Sequence, residues 1–584
     1  MIEKYVVTTA IEETWPKDKE KIIFLGEWCK LHSRKKYWED LDFEVLDYHW
    51  NDRQKLENDY KYLIDLHERV LKIMVYKMND LHEVNYNMIY WRILIGPWLG
   101  TFIQTVFDRW EMIQSAIKSN YKLQSISLEE NYSEWIPKDT DDFYSLLQLD
   151  GWNSFIYNQI IKIHRNNFST KKIKIKNTKK IKSNFYKSNF KEKIFQIYQF
   201  FAKKINSNNS SLVITSYLGI IDELKLSIRL KQFPLLLNFD KVSKIYFDEN
   251  KRKWKLDFDS KSSFENFLIK LIPFQIPKIY IEGFKKLVEK STKLNWPKKP
   301  ISIFTSNSMF RDEIFKHYAG ENVEKKIPLI IAQHGGHYGL GKIFFSEYHE
   351  LSISSKYISW GWNVGLIKSR IYPLGSFSSK RAPFFKTKKT KLLISTVTYP
   401  RYSYSLASEH ISTQWLSYFK DQIIFINKLI KLIRDSVIVK LYPIDNGWNQ
   451  IERWKDIFPD LVYDTGNVNI QEHYSKTKLY LVTYNSTVFL DCFRLDFPTV
   501  IFWDPNYCEL RDSAKSIFKD LKKVKVFHES PDSAAKHVNE IWDDVLGWWK
   551  SEEVLKAIEK FNNNYNKGDK DLVYRLSNIL QQKN

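Results

Sequence analysis

The chain has 584 residues, 43% of them hydrophobic and 16% aromatic, and a formal net charge of +21. That length exceeds what one hydrophobic core ordinarily serves, and the apolar content excludes a disordered chain. Three cysteines without paired spacing, Cys29, Cys492 and Cys508, exclude a disulfide scaffold and a cysteine-type zinc site, and fit a reducing cytoplasm.

Residues 5–10 and 21–25 read as the first strands of an α/β unit, with a polar loop over 11–19 between them. Apolar residues at three- and four-residue spacings then predict helices over 51–78 and 86–119. The most apolar stretch, 89–107, carries Arg92, Gly96, Pro97 and Gly100, so it reads as a buried helix with a break rather than a membrane span. The N-terminus lacks the regions of a signal peptide, and a cytoplasmic chain is expected. From 170 to 187 there are eight lysines and no acid, which reads as a solvated loop or basic arm.

Strand patterns resume at 212–216 and 301–305, with helices over 220–230 and 310–318 and an inserted helical subdomain expected in 231–300. Further strands are expected at 327–332 and 357–360. The clearest boundary is 377–390, rich in Ser and Lys. Beyond it, strands at 392–397, 437–441, 461–463, 479–483 and 499–502 alternate with helices at 416–434, 470–475, 486–494 and 506–521. That alternation predicts a doubly wound parallel sheet. Helices over 531–549 and 552–582 close the chain.

The expected fold is therefore α/β, with two Rossmann-like domains facing a cleft and helical insertions in the first. Residues 1–380 form the N-terminal domain, 390–545 the C-terminal one, and 546–584 helices that pack back across both.

The motif richest in chemistry follows the strand at 327–332: Gln333-His334-Gly335-Gly336-His337-Tyr338-Gly339. Open α/β sheets bind ligands beyond the carboxyl ends of their strands. Glycines there admit close backbone approach, and His334 and His337 can move protons near neutrality. The alternative is a glycine turn carrying surface histidines. Tyr484-Asn485-Ser486-Thr487 joins a strand to an apolar helix, so Ser486 or Thr487 caps that helix or offers its amides to a phosphate. Lys440-Leu441-Tyr442-Pro443-Ile444-Asp445 ends the preceding core strand, where Lys440 offers positive charge. Glu12 and Glu13, in the loop after the first strand, are candidate general bases or ordinary caps. Glu347 and His349 follow the glycine loop and could orient an imidazole; no third ligand stands at metal spacing, so no metal site is expected. A Walker loop and a GxGxxG are absent from the sequence, which argues against an NTPase or a dehydrogenase.

Several of these stretches resemble known families. The strand–Ser/Thr–helix–Pro–strand unit at 479–502 is similar to the nucleotide-phosphate site of GT-B glycosyltransferases. Leu441-Tyr442-Pro443 is similar to the His-Pro motif of bacterial sialyltransferases and capsular Kdo transferases, with Tyr442 in place of the histidine. Gln333-His334-Gly335 resembles the Gln-His-Gly element of the Kdo enzymes and the His-Gly element of teichoic-acid glycerophosphotransferases. Together with Ile11-Glu12-Glu13-Thr14-Trp15, Leu25-Gly26-Glu27-Trp28, Trp360-Gly361-Trp362 and Phe502-Trp503-Asp504-Pro505, they resemble a transferase family encoded in bacterial O-antigen and surface-polysaccharide clusters.

The resemblance implies a metal-independent GT-B glycosyltransferase without cofactor, using a nucleotide sugar, CMP-linked Kdo or another nonulosonic acid. The acceptor would be a glycan or lipid-linked glycan. Lys440, Tyr442, Asp445, Asn485, Ser486, Thr487, Gly335 and Gly336 would hold the donor, and His334, His337, Glu12 or Glu13 would act in catalysis. Transfer of a polyol phosphate from a CDP donor is the enzymatic alternative. The positive charge suits anionic membrane as well as nucleic acid, but the lysines follow no nucleic-acid module, and Lys with Asn, Ile, Tyr and Phe is also what AT-biased coding produces. No nucleic-acid partner is expected.

Overall fold

The structure is a computed structural model that describes residues 2–17, 20–129, 132–174, 210–233, 242, 244–364, 370–377 and 389–582. Most of the lysine-rich run (175–187) and of the boundary segment (378–388) lie outside the described residues.

Three parallel sheets organise the chain, two of them within residues 1–380. The first contains β1 (Glu3–Val7), β2 (Ile22–Phe24), β3 (Phe43–Val45), β4 (Lys122–Leu128) and β5 (Phe168–Ile173), in the order β3-β2-β1-β4-β5. Between β3 and β4 stand two long helices, Arg53–His82 and Met88–Lys118. Asp52 starts the first by accepting from the Lys55 amide at 3.0 Å, and Glu83, in the left-handed region, ends it. The second runs unbroken through Pro97. Its Gly96 and Gly100 do not mark a break. They leave room for His349 and the Phe345 ring of helix Phe345–Ile353, which would collide with any Cβ there. The 231–300 insertion supplies helices Ser263–Gln275 and Phe284–Thr292, whose Phe264, Leu268 and Leu287 join this first core.

The second sheet advances in chain order: β6 (Leu212–Ile214), β7 (Ile303–Thr305), β8 (Leu329–Ala332), β9 (Lys356–Ser359) and β10 (Ile371–Pro373). Alternation along the strands splits its side chains between two cores. Ile303, Leu329, Ile331 and Tyr357 pack with Phe315 and Leu351 of the connecting helices. Phe304, Ile330, Ala332 and Ile358 face Leu572, Leu576, Ile579 and Leu580 of the terminal helix Leu572–Gln581. Helices Glu313–Glu324 and Phe345–Ile353 pack on the first of these faces, and Leu226 of helix Ile220–Arg229 joins the terminal helix on the other.

The third sheet holds β11 (Lys391–Ser395), β12 (Val437–Lys440), β13 (Val462–Asp464), β14 (Thr477–Val482), β15 (Thr499–Phe502) and β16 (Phe527–His528), in the order β13-β12-β11-β14-β15-β16. The direction of winding reverses between β11 and β14. This is the expected doubly wound sheet, with a short sixth strand added. The second and third sheets turn their carboxyl edges toward one another, since the loop after β8 touches the helix start after β14. No helix among the described residues is long and apolar enough to cross a membrane.

Candidate functional site

Gln333, at the end of β8, fixes the glycine loop. Its side-chain oxygen accepts from the Trp360 amide at 2.9 Å and the Trp362 indole at 2.8 Å, while its amide donates to the Gly335 carbonyl at 2.7 Å. His334 is half-buried, with the Tyr217 ring stacked beside it and Nδ1 3.6 Å from Glu350 Oε1. Glu350 accepts hydroxyl hydrogen bonds from Tyr338 at 2.9 Å and Tyr357 at 3.2 Å. Burial, opposed by a Ser306 backbone contact, lowers His334 to about 4. Burial also raises Glu350 well above the carboxylate range against its two hydroxyl partners. Burial thus disfavours the charged form of each group. Glu350, rather than Glu347 or His349, stands behind the imidazole. Glu347 accepts from the Gly339 amide and Arg511, and His349 is buried against helix Met88–Lys118. His337 is buried beneath Gly341 and Phe344, where burial lowers it to about 4.

The two motifs flagged for phosphate chemistry meet. The Gly336 amide donates to Thr487 Oγ1 at 3.0 Å, and Ser486 Oγ accepts from the Val488 amide at 3.2 Å as cap of helix Thr487–Arg494. A Cβ on Gly336 would lie 2.5 Å from the Ser486 carbonyl and 2.6 Å from the Thr487 nitrogen. The helix start is thus covered by the glycine loop, and open space begins one step earlier, at Tyr484 and Asn485.

That space is a cavity of about 1550 Å³ at the carboxyl ends of β11 and β14, where the sheet reverses. Thr398, Tyr399, Tyr404, Glu409 and His410 of the loop after β11 line it, with Tyr442, Tyr484 and Asn485. Lys138, Lys244, Lys278 and Arg311 bring positive charge from the preceding units. Asn485 is 8% exposed and His410 3%, and Asn485 Oδ1 and His410 Nε2 have no hydrogen-bond partner among the described residues. Both atoms are therefore available to hydrogen-bond a molecule in the cavity. A second cavity of about 600 Å³ adjoins it through Tyr144, Arg311 and Ser346 and reaches Asn307 and Ser308 at the end of β7.

Of the residues expected from sequence, Tyr442 and Asn485 line the large cavity. Lys440 is engaged with Asp464 at 2.9 Å, and Asp445 receives the amides of Gly447, Asn449 and Gln450, so each serves local structure. Glu12 is gripped by both arms of Arg34, and Glu13 is exposed. Neither cavity includes Glu12, Glu13, His334 or His337 in its lining. Glu409, His410 and Arg311 went unnoticed because they sit in no motif. The one available signal was the length of the connection between β11 and helix Trp415–Lys428, far beyond the ~2–6 residues usual for such loops. Among the described residues, no group of three or more His, Cys, Asp or Glu could hold a metal ion.

A family model described as LIC12162 family transferase matches residues 4–580. The chain belongs to this transferase family. Among curated proteins, none matches its sequence. Solved structures to which it is similar include TarM, at 11% identity over 48% of this chain and 54% of TarM with a TM-score of 0.31. The match thus spans about half of TarM. MurG of Acinetobacter baumannii matches at 9% identity over 64% of this chain and 99% of that one, with a TM-score of 0.33. The wall teichoic acid polymerase TagF matches at 10% identity over 67% and 93%, with a TM-score of 0.29. The α/β class of this family member is read from its own strand pairing.

Proposed function

We propose that this LIC12162 family transferase is a GT-B-type glycosyltransferase that moves a sugar from a nucleotide donor to a bacterial surface-polysaccharide acceptor. The observation that carries this reading is the large cavity at the reversal between β11 and β14, the position where doubly wound sheets receive nucleotides. Its tyrosines suit the flat faces of base and sugar, and its lysines and Arg311 suit phosphate without requiring a metal. In this reading the His334 loop clamps the two sheets through Gly336 and Thr487. The smaller cavity, with Asn307 and Ser308, admits the acceptor.

The donor class we propose is a CMP-linked Kdo or other nonulosonic acid, from the resemblance at Tyr442-Pro443. Calorimetry and thermal unfolding with CMP, CDP, UDP, GDP and ADP test it. At a hundredfold excess over Kd a ligand adds ~2.7 kcal/mol, and the cytidine nucleotides should give the largest shift. Stronger stabilisation by UDP would defeat the cytidine assignment alone. No binding by any nucleotide would defeat the glycosyltransferase reading.

We further propose that the enzyme rests on the inner face of an anionic membrane, where a lipid-linked acceptor would reside. Helix Ile220–Arg229 exposes Ile220 (80%), Ile221 (70%), Leu224 (48%) and Ile228 (75%) along one face, burying only Leu226 and Ser227. Lys225, Arg229 and Lys231 accompany that stripe, while Asp222 is tied to Lys225 at 2.9 Å and burial, opposed by a Ser216 hydrogen bond, raises the Glu223 carboxyl. An apolar face beside basic residues fits the boundary of an anionic bilayer. The protein should float with phosphatidylcholine–phosphatidylglycerol vesicles, and Ile221→Asp with Ile228→Asp should abolish flotation. Equal flotation of wild type and double variant would remove this helix from membrane contact.

A further inference from the structure

The loop after β11 is held from outside its own sheet. Ala407 forms an antiparallel bridge with Phe344. Arg53, on helix Arg53–His82, donates to the carbonyls of Ala407 at 3.3 Å, Glu409 at 3.5 Å and Tyr507 at 3.0 Å. Its guanidinium is already paired with both oxygens of Glu509, at 2.7 and 2.9 Å. Arg53 therefore steadies the backbone on both sides of the cavity wall, chiefly at Tyr507 and at Ala407 two residues before Glu409, while its charge is engaged with Glu509. Glu409 is half-buried and lines the large cavity, and its side chain has no hydrogen bond or ion pair among the described residues. The other lining carboxylates differ. Glu134 is exposed, and Asp142 accepts the Lys138 amide at 2.7 Å.

We propose that Glu409 is the catalytic carboxylate of the transfer, accepting the proton of the acceptor hydroxyl as that oxygen bonds to the anomeric carbon of the donor. The bond from that carbon to the nucleotide phosphate breaks, its electron pair leaves on the phosphate, and Glu409 later returns the proton to solvent. This rests on the nucleotide-donor reading. A base in this place must be free of competing partners, must reach the substrate space and must be held by rigid neighbours, and Glu409 meets all three. The groups facing it are Arg53, Glu509, Tyr399, Tyr404, His410 and Cys508. Burial raises the two phenols and the thiol and lowers His410 to about 3, so these four are neutral near pH 7. Burial, only partly offset by the Arg53 charge, raises Glu409 to about 7, where a general base is most effective in neutral solution.

The test compares wild type with Glu409→Gln. Nucleotide affinity is measured by calorimetry with CMP and CDP, and turnover by CMP release from CMP-Kdo and CMP-N-acetylneuraminate over pH 5–9. The variant should keep its affinity, lose ~10²–10⁴-fold in rate, and lose the ionisation near pH 7. A second measurement needs no substrate. With a folded value of about 7 against 4.5 when unfolded, the native chain binds the extra proton between these values, so stability falls as pH rises through that window. Glu409→Gln lacks that fall and should gain in melting temperature relative to wild type above pH 7. Nucleotide binding with wild-type turnover in the variant overturns the proposal alone, as does loss of rate and affinity together. Failure of every nucleotide to bind wild type overturns the donor reading and, with it, this role.

Discussion

Gly336→Ala is expected to cost the enzyme roughly a hundredfold or more in turnover, while Gly335→Ala, one residue away, leaves it nearly unchanged. At Gly336 the new methyl would meet the Ser486 carbonyl at 2.5 Å and the Thr487 nitrogen at 2.6 Å, all backbone atoms at the start of a helix. Such atoms do not yield as a flexible side chain does. The loop must therefore withdraw, and the hydrogen bond from the Gly336 amide to Thr487 goes with it. Gln333 resists that withdrawal by holding Gly335, Trp360 and Trp362. Overpacking of this kind costs about 1–3 kcal/mol, and misplacing a site by ~1 Å can cost 10²-fold in rate. At Gly335 the nearest atoms are Tyr338 ring carbons at 3.7 and 3.8 Å, ordinary contact distances. Turnover and melting temperature of the two variants decide the matter. If they behave alike, the loop does not clamp the two sheets.

That pair of residues also shows what the sequence could disclose. Both the glycine loop and the Ser-Thr helix start were legible, because a turn after a buried strand and a cap before an apolar helix are local patterns. Their contact, 151 residues apart, is not local, and it covers the helix start that the sequence offered to a phosphate. Glu12, Lys440 and Asp445 stand outside the linings of both cavities, and the sequence could not show it for the same reason. Their partners, Arg34, Asp464 and a run of backbone amides, are chosen by the folded chain. The third sheet was readable because most of its strands are short, apolar runs separated by helical segments. The first was only half readable. In β4 polar and apolar residues mix, and β5 carries exposed lysines that read as a solvated arm. Pro97 looked like a helix break because proline removes one hydrogen bond, yet the helix continues through it within the buried core. Glu409 sits in no motif, and only the length of its loop could have drawn attention to it. Its chemistry comes from burial and from the absence of a side-chain partner among the described residues, and neither is written in the residues around it.

The other large effect is expected at Arg401, which binds the same loop to the first sheet. Its guanidinium pairs with Asp150 at 2.6 Å and donates to the Trp28 carbonyl, and the residue is 6% exposed. Asp150 also receives the Tyr402 hydroxyl at 2.6 Å and the Ala10 amide at 3.0 Å, so one carboxylate gathers β1, helix Asp150–Ile163 and the loop after β11. Arg401→Leu keeps most of the volume but leaves that carboxylate with neutral donors alone. Breaking a buried pair from one side costs ~3–5 kcal/mol, and the 25% exposure of the Asp150 side chain sets the expectation near the lower end, roughly 3 kcal/mol. Arg401→Lys should fall between the two, since an ammonium supplies the charge without the fork that reaches Asp150 and Trp28 together. The loss should extend to function, because the released loop carries Glu409 and His410 into the cavity. Urea unfolding of the three proteins, with CMP affinity measured alongside, checks both parts. An Arg401→Leu protein within 0.5 kcal/mol of wild type would mean that the first sheet does not hold this loop in place.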